Sequence, residues 1–295
     1  VRMLLNHTSS IRDADVYVLP TDKPISSFFD ETHKAGNSDY HFSYHDGHPP
    51  GTYFTYCNLC YGLVGTIIEK ASGERFDQYQ KRHVLAPLHI DGGYNINELD
   101  HPERLATLYR HLPEGYTPTV DSFPHKSTTN HALDTYKIGS NGSVFSPQGG
   151  LRISLQGLSQ LARFMIQRGT VDGVRLLSEQ SIVAMETPTW RFNGHNADCP
   201  YPVTAYGLSL FVLTGTKDPD GKTDSPYPAY QGGLKGHLGE AYGLHSGFWY
   251  DPQTGDAYLF AADGFPADEE IHPGQYSSFS RTEENIFQTL AGVKP

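Results

Sequence analysis

Apolar residues recur at helical spacing in the first part of the chain. Leu59, Leu63 and Ile67 follow one another every four residues. Ser72-Gly73 comes next, and a glycine in this position commonly ends a helix. The pattern therefore predicts a helix that begins near Tyr56 and ends at Ser72.

Further helices are predicted by the same spacing together with end signals. A serine or a capping box precedes several of them, and proline or glycine follows. The predicted segments are 76–84 before Pro87, a short helix within 98–111, Leu155–Ile166 between Ser154 and Gly169, a helix after Ser178 through Met185, and a C-terminal helix after the capping box Ser280-Arg281-Thr282-Glu283.

The period changes to that of strands near residue 203. Residues 206–213, 241–250 and 256–262 are strand candidates, and 251–255 has the composition of a hairpin connection. Residues 112–150 are expected to be irregular. Helices followed by a hairpin and a closing helix predict an α+β fold of the α/β sandwich type, in which an antiparallel sheet is flanked by helices.

Composition and charge exclude several classes of protein. The chain has 295 residues, 37% of them hydrophobic, and a net charge of −11 at pH 7. The excess of acid argues against binding to nucleic acid. There is no run of about 18 apolar residues that could span a membrane. The three cysteines, Cys57, Cys60 and Cys199, are too few for a disulfide framework.

The first predicted helix begins with a motif that carries chemistry. Tyr56-Cys57-Asn58 follows the turn Pro50-Gly51-Thr52, and glycines occur in the helix behind it. This stretch, residues 50–65, resembles the second motif of the serine β-lactamase-like hydrolases, the family that includes penicillin-binding proteins. It is most similar to class C β-lactamases and their esterase and peptidase relatives.

Four other stretches resemble segments of this family and occur in the family's order. They are residues 4–10 (LLNHTSS), 72–88 with its Pro-Leu end, 149–154 (GGLRIS) and 236–243 (GHLGEAYG). The last is similar to the third motif, which is Lys-Thr-Gly in β-lactamases and often His-x-Gly in the esterase and D-amino-acid peptidase branches. The resemblance implies a mostly helical region over 1–150, a helix-covered antiparallel sheet over 151–295, and an active site between them.

The family's first motif, Ser-x-x-Lys, does not occur in the chain. No serine has a lysine three residues on, and Ser122 is followed by Lys126 at four. In the family this motif precedes the segment that here begins at residue 4. We therefore expect the nucleophilic serine to lie outside this chain. A stable protein would then contain an N-terminal companion segment, or would replace it by contacts in a homo-oligomer.

The resemblance implies a role for each matching residue. Tyr56 would be the general base or proton shuttle of acyl transfer, and Asn58 would hold the lysine of the first motif and bind the substrate's carbonyl side. His237 would lie opposite them on a strand edge. The backbone N–H of Glu240, just after Gly239, would donate one hydrogen bond to the oxyanion.

His237 in place of a lysine narrows the expected substrate class. A histidine is neutral through much of the physiological pH range, and Leu238 removes the hydroxyl that could bind a β-lactam carboxylate. We therefore predict an acyl-serine hydrolase (esterase, D-amino-acid peptidase or DD-carboxypeptidase) for small ester or peptide substrates, without a cofactor and without β-lactamase as its main activity. The alternative is a catalytically inactive β-lactamase-like binding or scaffold protein.

A histidine-rich stretch offers a third interpretation, a metal-dependent hydrolase. Its candidate zinc ligands are His41, His45, Asp46 and His48. They occur in a proline-rich segment of a chain that has 15 histidines, so clusters arise by chance. We therefore expect a polar loop and no metal site.

Cys57 and Cys60 have the spacing of a redox pair. They flank Asn58 at a helix start, however, and do not follow the strand of a βαβ unit. We interpret them as small packing residues beside the candidate tyrosine.

Overall fold

The chain divides into two units according to the contacts among its residues. The computed structural model describes residues 1–13, 16–29, 47–121, 133–198, 204–217, 221–228, 230, 232–266 and 272–292. Unit 1 comprises Val1–Leu105, His125–Gly157 and Asn196–Cys199, and unit 2 comprises Ala106–Pro124, Leu158–His195 and Pro200–Pro295. The division into residues 1–150 and 151–295 stays a prediction.

The helices agree well with the helical spacing in the sequence. The α-helices are α1 (Arg2–Leu5), α2 (Leu59–Ser72), α3 (Phe76–Gln80), α4 (Leu155–Ile166), α5 (Glu179–Glu186) and α6 (Arg281–Gly292). A π-helical turn, Lys81–Leu85, extends α3, and 3₁₀ turns include Ile25–Phe29 and Gly142–Phe145. None of the helices in the described part of the chain has the length and apolar character that a membrane crossing requires.

The strands of the described residues form one larger antiparallel sheet and three short pairs. They are β1 (Gly92–Gly93), β2 (Leu108–Leu112), β3 (Gly115–Val120), β4 (Arg152–Ile153), β5 (Thr170–Val171), β6 (Val174–Arg175), β7 (Trp190–Arg191), β8 (Ala205–Tyr206), β9 (Phe211–Val212), β10 (Lys235–Ala241), β11 (Leu244–Tyr250) and β12 (Ala257–Ala262). The larger sheet lies in unit 2 and has the order β12-β11-β10-β9-β8-β7. The antiparallel sheet and the predicted hairpin at 251–255 are therefore confirmed.

Two predictions about residues 98–150 were wrong. The short helix expected within 98–111 is replaced by 3₁₀ turns and by β2, and β3 occupies part of the segment expected to be irregular. The two strands pair around a two-residue connection with Leu112 opposite Gly115. β3 reads GYTPTV, and its tyrosine and threonines favour strand over helix.

Helix α2 begins where a distant carboxylate satisfies its first amides. Asp13 accepts hydrogen bonds from the backbone N–H groups of Asn58 (2.7 Å) and Leu59 (2.8 Å). These groups have no partner inside the helix, and a negative charge at this end also complements the helix dipole. At the other end Gly73 adopts a left-handed conformation with φ 73°, as the sequence predicts.

Helix α2 packs closely on the 3₁₀ turn Gly142–Phe145. A Cβ atom on Gly142 would lie 2.4 Å from the backbone nitrogen of Thr66, so this approach requires glycine. The hydroxyl of Thr66 accepts a hydrogen bond from the N–H of Gly142 at 2.8 Å. Gly142 therefore allows two backbones of unit 1 to come into contact.

A buried carboxylate joins the end of α2 to two other segments of unit 1. Glu69 has no solvent exposure. Its Oε1 accepts from the N–H of Phe76 at 2.9 Å, and its Oε2 accepts from the Tyr136 hydroxyl at 2.6 Å and the Gly139 N–H at 2.8 Å. Burial raises the pKa of Glu69, and these three donors partly oppose the shift.

The core of unit 2 is an aromatic cluster between α6 and the sheet. Phe287 of α6 is fully buried and contacts Trp249 of β11 and Phe260 of β12, with ring centroids 6.1 Å and 5.8 Å away. The predicted capping box starts this helix. Glu283 accepts from the N–H of Ser280 at 2.8 Å, and its own N–H donates to the Ser280 hydroxyl at 3.2 Å.

Replacing the carboxylate at the start of α2 is expected to destabilise the protein. Asp13→Ala leaves the amides of Asn58 and Leu59 without their acceptor, so we expect the free energy of unfolding in urea to fall by about 1–2 kcal/mol. Asp22→Ala, which removes an exposed carboxylate of the same unit, is the control. Equal stability of the two variants would contradict the capping role.

Glu69→Gln is expected to cost about 1–3 kcal/mol of unfolding free energy, because it turns an amide NH₂ toward buried donors. Glu114→Gln, at an exposed site, should change stability little. The unfolding free energies of both variants are measured by equilibrium unfolding in urea. A Glu69→Gln protein as stable as the wild type would show that the three hydrogen bonds contribute nothing.

Candidate functional site

The chain enters the Tyr-x-Asn motif through a segment held on both sides. The N–H of Phe54 donates to the carbonyl of Asn196 at 2.8 Å, and the N–H of Asp198 donates to the carbonyl of Phe54 at 3.1 Å. The Thr55 hydroxyl donates to the Asp198 carboxylate at 2.7 Å. Thr55, the residue before Tyr56, is therefore held by its own side chain and by the backbone hydrogen bonds of Phe54.

Tyr56 keeps part of its side chain accessible within an aromatic setting. It is 40% exposed, and its ring stacks on His7 with centroids 4.3 Å apart and planes inclined by 28°. Burial raises the pKa of Tyr56, and Tyr61, the carboxylate of Asp13 and Tyr17 add to the shift. Because its pKa is raised, the phenol is protonated at neutral pH.

Asp13 also determines which way the Asn58 amide faces. The Nδ2 group of Asn58 donates to Asp13 Oδ2 at 2.8 Å. A carboxylate only accepts, so the NH₂ must be on that side and Oδ1 must face away. The structure shows no donor to Asn58 Oδ1 from the described residues. The amide therefore presents its acceptor outward, which is the orientation that binding an ammonium group requires.

Cys57 and Cys60 are joined by a disulfide. Both are fully buried, and the N–H of Cys60 lies 3.1 Å from Cys57 Sγ. They pack with Ile25, Phe28 and Leu59 in a hydrophobic cluster. The interpretation as small packing residues is therefore incomplete, because the pair also closes a covalent link across Asn58.

His237 lies on β10 in unit 2 and has an aromatic environment. Its ring stacks on Phe211 of β9 with centroids 4.3 Å apart, and Tyr206 approaches edge-on at 6.2 Å. Its Nδ1 contacts the carbonyl of Leu238, which can only accept, so Nδ1 carries the proton. Burial lowers the pKa of His237 against the opposing effect of this hydrogen bond. The neutral ring therefore presents Nε2 as an acceptor.

Gly239 and Glu240 follow His237 on the same strand. Gly239 lies opposite Ser246 and Glu240 opposite His245 of β11. Alternation along a strand places the side chain of Glu240 on the face opposite to that of His237. A Cβ atom on Gly239 would lie 2.5 Å from the Ser246 hydroxyl, so a side chain here would require that hydroxyl to rotate away.

The structure thus groups the five candidate residues in two places. Tyr56 and Asn58 lie together at the start of α2 in unit 1, and His237, Gly239 and Glu240 lie together on β10 in unit 2. The sequence analysis did not assign functional roles to His7 and Asp13. His7 lies in the segment that resembles the family's His-Thr-Ser stretch, which was the available signal for it.

The candidate zinc ligands fall mostly beyond the described residues. His41, His45 and Asp46 lie outside them, as does Cys199. His48 stacks on Tyr53 with centroids 3.7 Å apart. No group of three or more potential metal ligands occurs among the residues that the structure describes.

Comparison with proteins of known sequence agrees with these motifs. A curated relative, penicillin-binding protein 4 of Amycolatopsis lactamdurans, is 25% identical over 204 residues, which cover 64% of this chain and 45% of that protein. This chain therefore spans about half the length of this curated relative.

Solved structures show the same fold at low sequence identity. The octameric penicillin-binding protein homologue from Pyrococcus abyssi is 19% identical with a TM-score of 0.60, over 98% of this chain and 55% of that one. The D-amino acid amidase from Ochrobactrum anthropi SV3, in complex with L-phenylalanine amide, is 18% identical with a TM-score of 0.61. The match covers 99% of this chain and 71% of the amidase chain. The family model named Beta-lactamase matches residues 1–275, so the chain belongs to the Beta-lactamase family.

Proposed function

We propose that this protein is part of an acyl-serine hydrolase that cleaves small ester or amide substrates, with the nucleophilic serine outside residues 1–295. The observation that carries the proposal is the start of α2. There Tyr56 offers a partly exposed phenol, and Asn58 turns its carbonyl oxygen away from Asp13. The homologous penicillin-binding protein and the shared fold with a D-amino acid amidase support the same reaction class.

Tyr56 would carry the proton in both halves of the reaction. The serine oxygen attacks the carbonyl carbon as its proton passes to the Tyr56 oxygen. Tyr56 then returns the proton to the departing alcohol or amine, and water releases the acyl group by the reverse path. Because burial and Asp13 raise the pKa of Tyr56, the phenol needs a neighbouring cation to become a base.

A lysine ammonium beside Asn58 Oδ1 would supply that cation. The outward carbonyl oxygen of Asn58 is an acceptor, and an ammonium group has three donors and no acceptor. This agrees with the Ser-x-x-Lys pair of the family, which residues 1–295 do not contain. Asn58 would also contact the carbonyl side of the substrate.

His237 favours substrates without a carboxylate. Its ring is neutral and accepts at Nε2, so it provides no permanent positive charge. Leu238 brings no hydroxyl to the neighbouring position. We therefore propose esterase, D-amino-acid peptidase or DD-carboxypeptidase activity, with β-lactamase as a minor reaction.

The proposal is tested on the gene product that includes the sequence upstream of Val1. We expect a fluorophosphonate probe to label it covalently and p-nitrophenyl acetate to be turned over. Tyr56→Phe should lower kcat by about 10²–10⁴-fold, the usual contribution of a general base. Tyr116→Phe, which alters an exposed tyrosine, is the control.

The outcomes separate the enzyme from the scaffold. Absence of labelling and of turnover, when an upstream Ser-x-x-Lys is present and the protein is folded, would favour a binding protein that keeps the fold. Labelling of residues 1–295 themselves would mean that another serine acts. Loss of activity on chelation alone would favour the metal-dependent hydrolase.

The charge state of His237 can be followed by NMR of the imidazole nitrogens. Because its pKa is lowered, we expect the ring to be neutral at pH 7 with the proton on Nδ1. The folded state favours the neutral form of His237. The stability that depends on the neutral ring is therefore present above about pH 6.5 and is lost as the pH falls through the lowered pKa. The wild type should therefore lose stability relative to His237→Gln on acidification. Protonation of the ring at neutral pH would contradict the analysis.

A further inference from the structure

We propose that His7 is a positioning residue for Tyr56, which it holds through its ring, its ring nitrogen and its backbone carbonyl. The proposal rests on the proposed function of Tyr56 as the proton shuttle. His7 itself would not touch the substrate, because its exposed fraction is 1%.

His7 binds the backbone on both sides of Tyr56. The N–H of Thr55 donates to the His7 carbonyl at 2.9 Å. The N–H of Cys57 donates to His7 Nδ1 at 3.0 Å. One residue therefore holds the amides immediately before and after Tyr56, which fixes where its Cα–Cβ bond points.

The His7 ring also limits where the phenol can go. It stacks on the Tyr56 ring at 4.3 Å, while Phe54 and Tyr61 surround it with centroids 5.4 Å and 5.6 Å away. A ring enclosed in this way is a rigid surface for its neighbour. The Tyr56 ring is thereby held in one defined orientation.

Only histidine can supply both side-chain contacts at once, the hydrogen bond that Nδ1 accepts from the Cys57 amide and the ring that stacks on Tyr56. Nδ1 accepts from an amide, so a neutral His7 carries its proton on Nε2. Phenylalanine would keep the ring and lose the acceptor. Asparagine would keep an acceptor close to the Nδ1 position and lose the ring. The two substitutions therefore remove the two contacts one at a time.

The backbone at His7 is unusual for a residue with a side chain. Its φ is 58°, in the left-handed region that glycine favours. Such residues persist where the surrounding structure holds them, and they are frequent near functional sites. His89 is exposed and has φ 55°, so His89→Asn tests the same exchange in the same backbone conformation away from Tyr56.

The first test uses this chain with tyrosine labelled at ¹³Cζ, and Tyr56→Phe assigns the Tyr56 resonance. In His7→Asn we expect the resonance to move and the ionisation midpoint of Tyr56 to fall toward about 10, because the phenol loses the ring that shields it. In His7→Phe we expect the resonance to move or broaden, because the Cys57 amide loses its acceptor. His89→Asn and Glu69→Gln should leave the Tyr56 resonance unchanged.

A Tyr56 resonance and midpoint equal to the wild type in both His7 variants would overturn the proposal, even if both unfold more readily. Either variant alone decides if the other does not fold. In the full-length gene product, each should lower kcat about 10–100-fold and change KM less than about threefold. The two proposals can fail separately. If the His7 variants shift the Tyr56 resonance but the full-length wild type shows no turnover, the proposed function is refuted and the positioning by His7 stands.

Discussion

The amide groups at the start of α2 have no acceptors within their own helix. The residues that supply these acceptors determine the structure around the candidate site. Asp13 accepts from Asn58 and Leu59, and His7 accepts from Cys57. Both acceptors come from the first residues of the chain. The segment that resembles the family's His-Thr-Ser stretch is thereby joined to the Tyr-x-Asn motif, and the unpaired helix end becomes the place where Tyr56 and Asn58 are oriented.

Local signals in the sequence were sufficient for elements that depend on neighbouring residues. Gly73 ends α2, Ser178 caps α5, and the capping box starts α6, because each of these contacts spans only a few residues. The β2–β3 hairpin was missed because its leucines also fit helical spacing, and its partner strand contains a proline. Asp13 could not be predicted, since its contacts cross 45 and 46 positions of the chain.

Prediction of the candidate site from the sequence was limited in the same way, because contacts that form only in the folded chain could not be foreseen. The motifs predict Tyr56, Asn58 and His237 as site residues, and their roles stay a prediction for this member of the Beta-lactamase family. Residue type alone did not show the direction of the Asn58 amide or the tautomer of His237. Those follow from one carboxylate and one backbone carbonyl, and both are properties of the folded chain.

The link between Cys57 and Cys60 closes a loop of only a few residues. Such a short loop removes little conformational freedom from the denatured chain, about 2 kcal/mol in the chain-entropy account, compared with about 3 kcal/mol for a loop of fifteen residues. It also acts in the native state, where it restricts rotation of the peptide groups around Asn58. A cross-link in this place therefore constrains the folded motif as well as the unfolded ensemble.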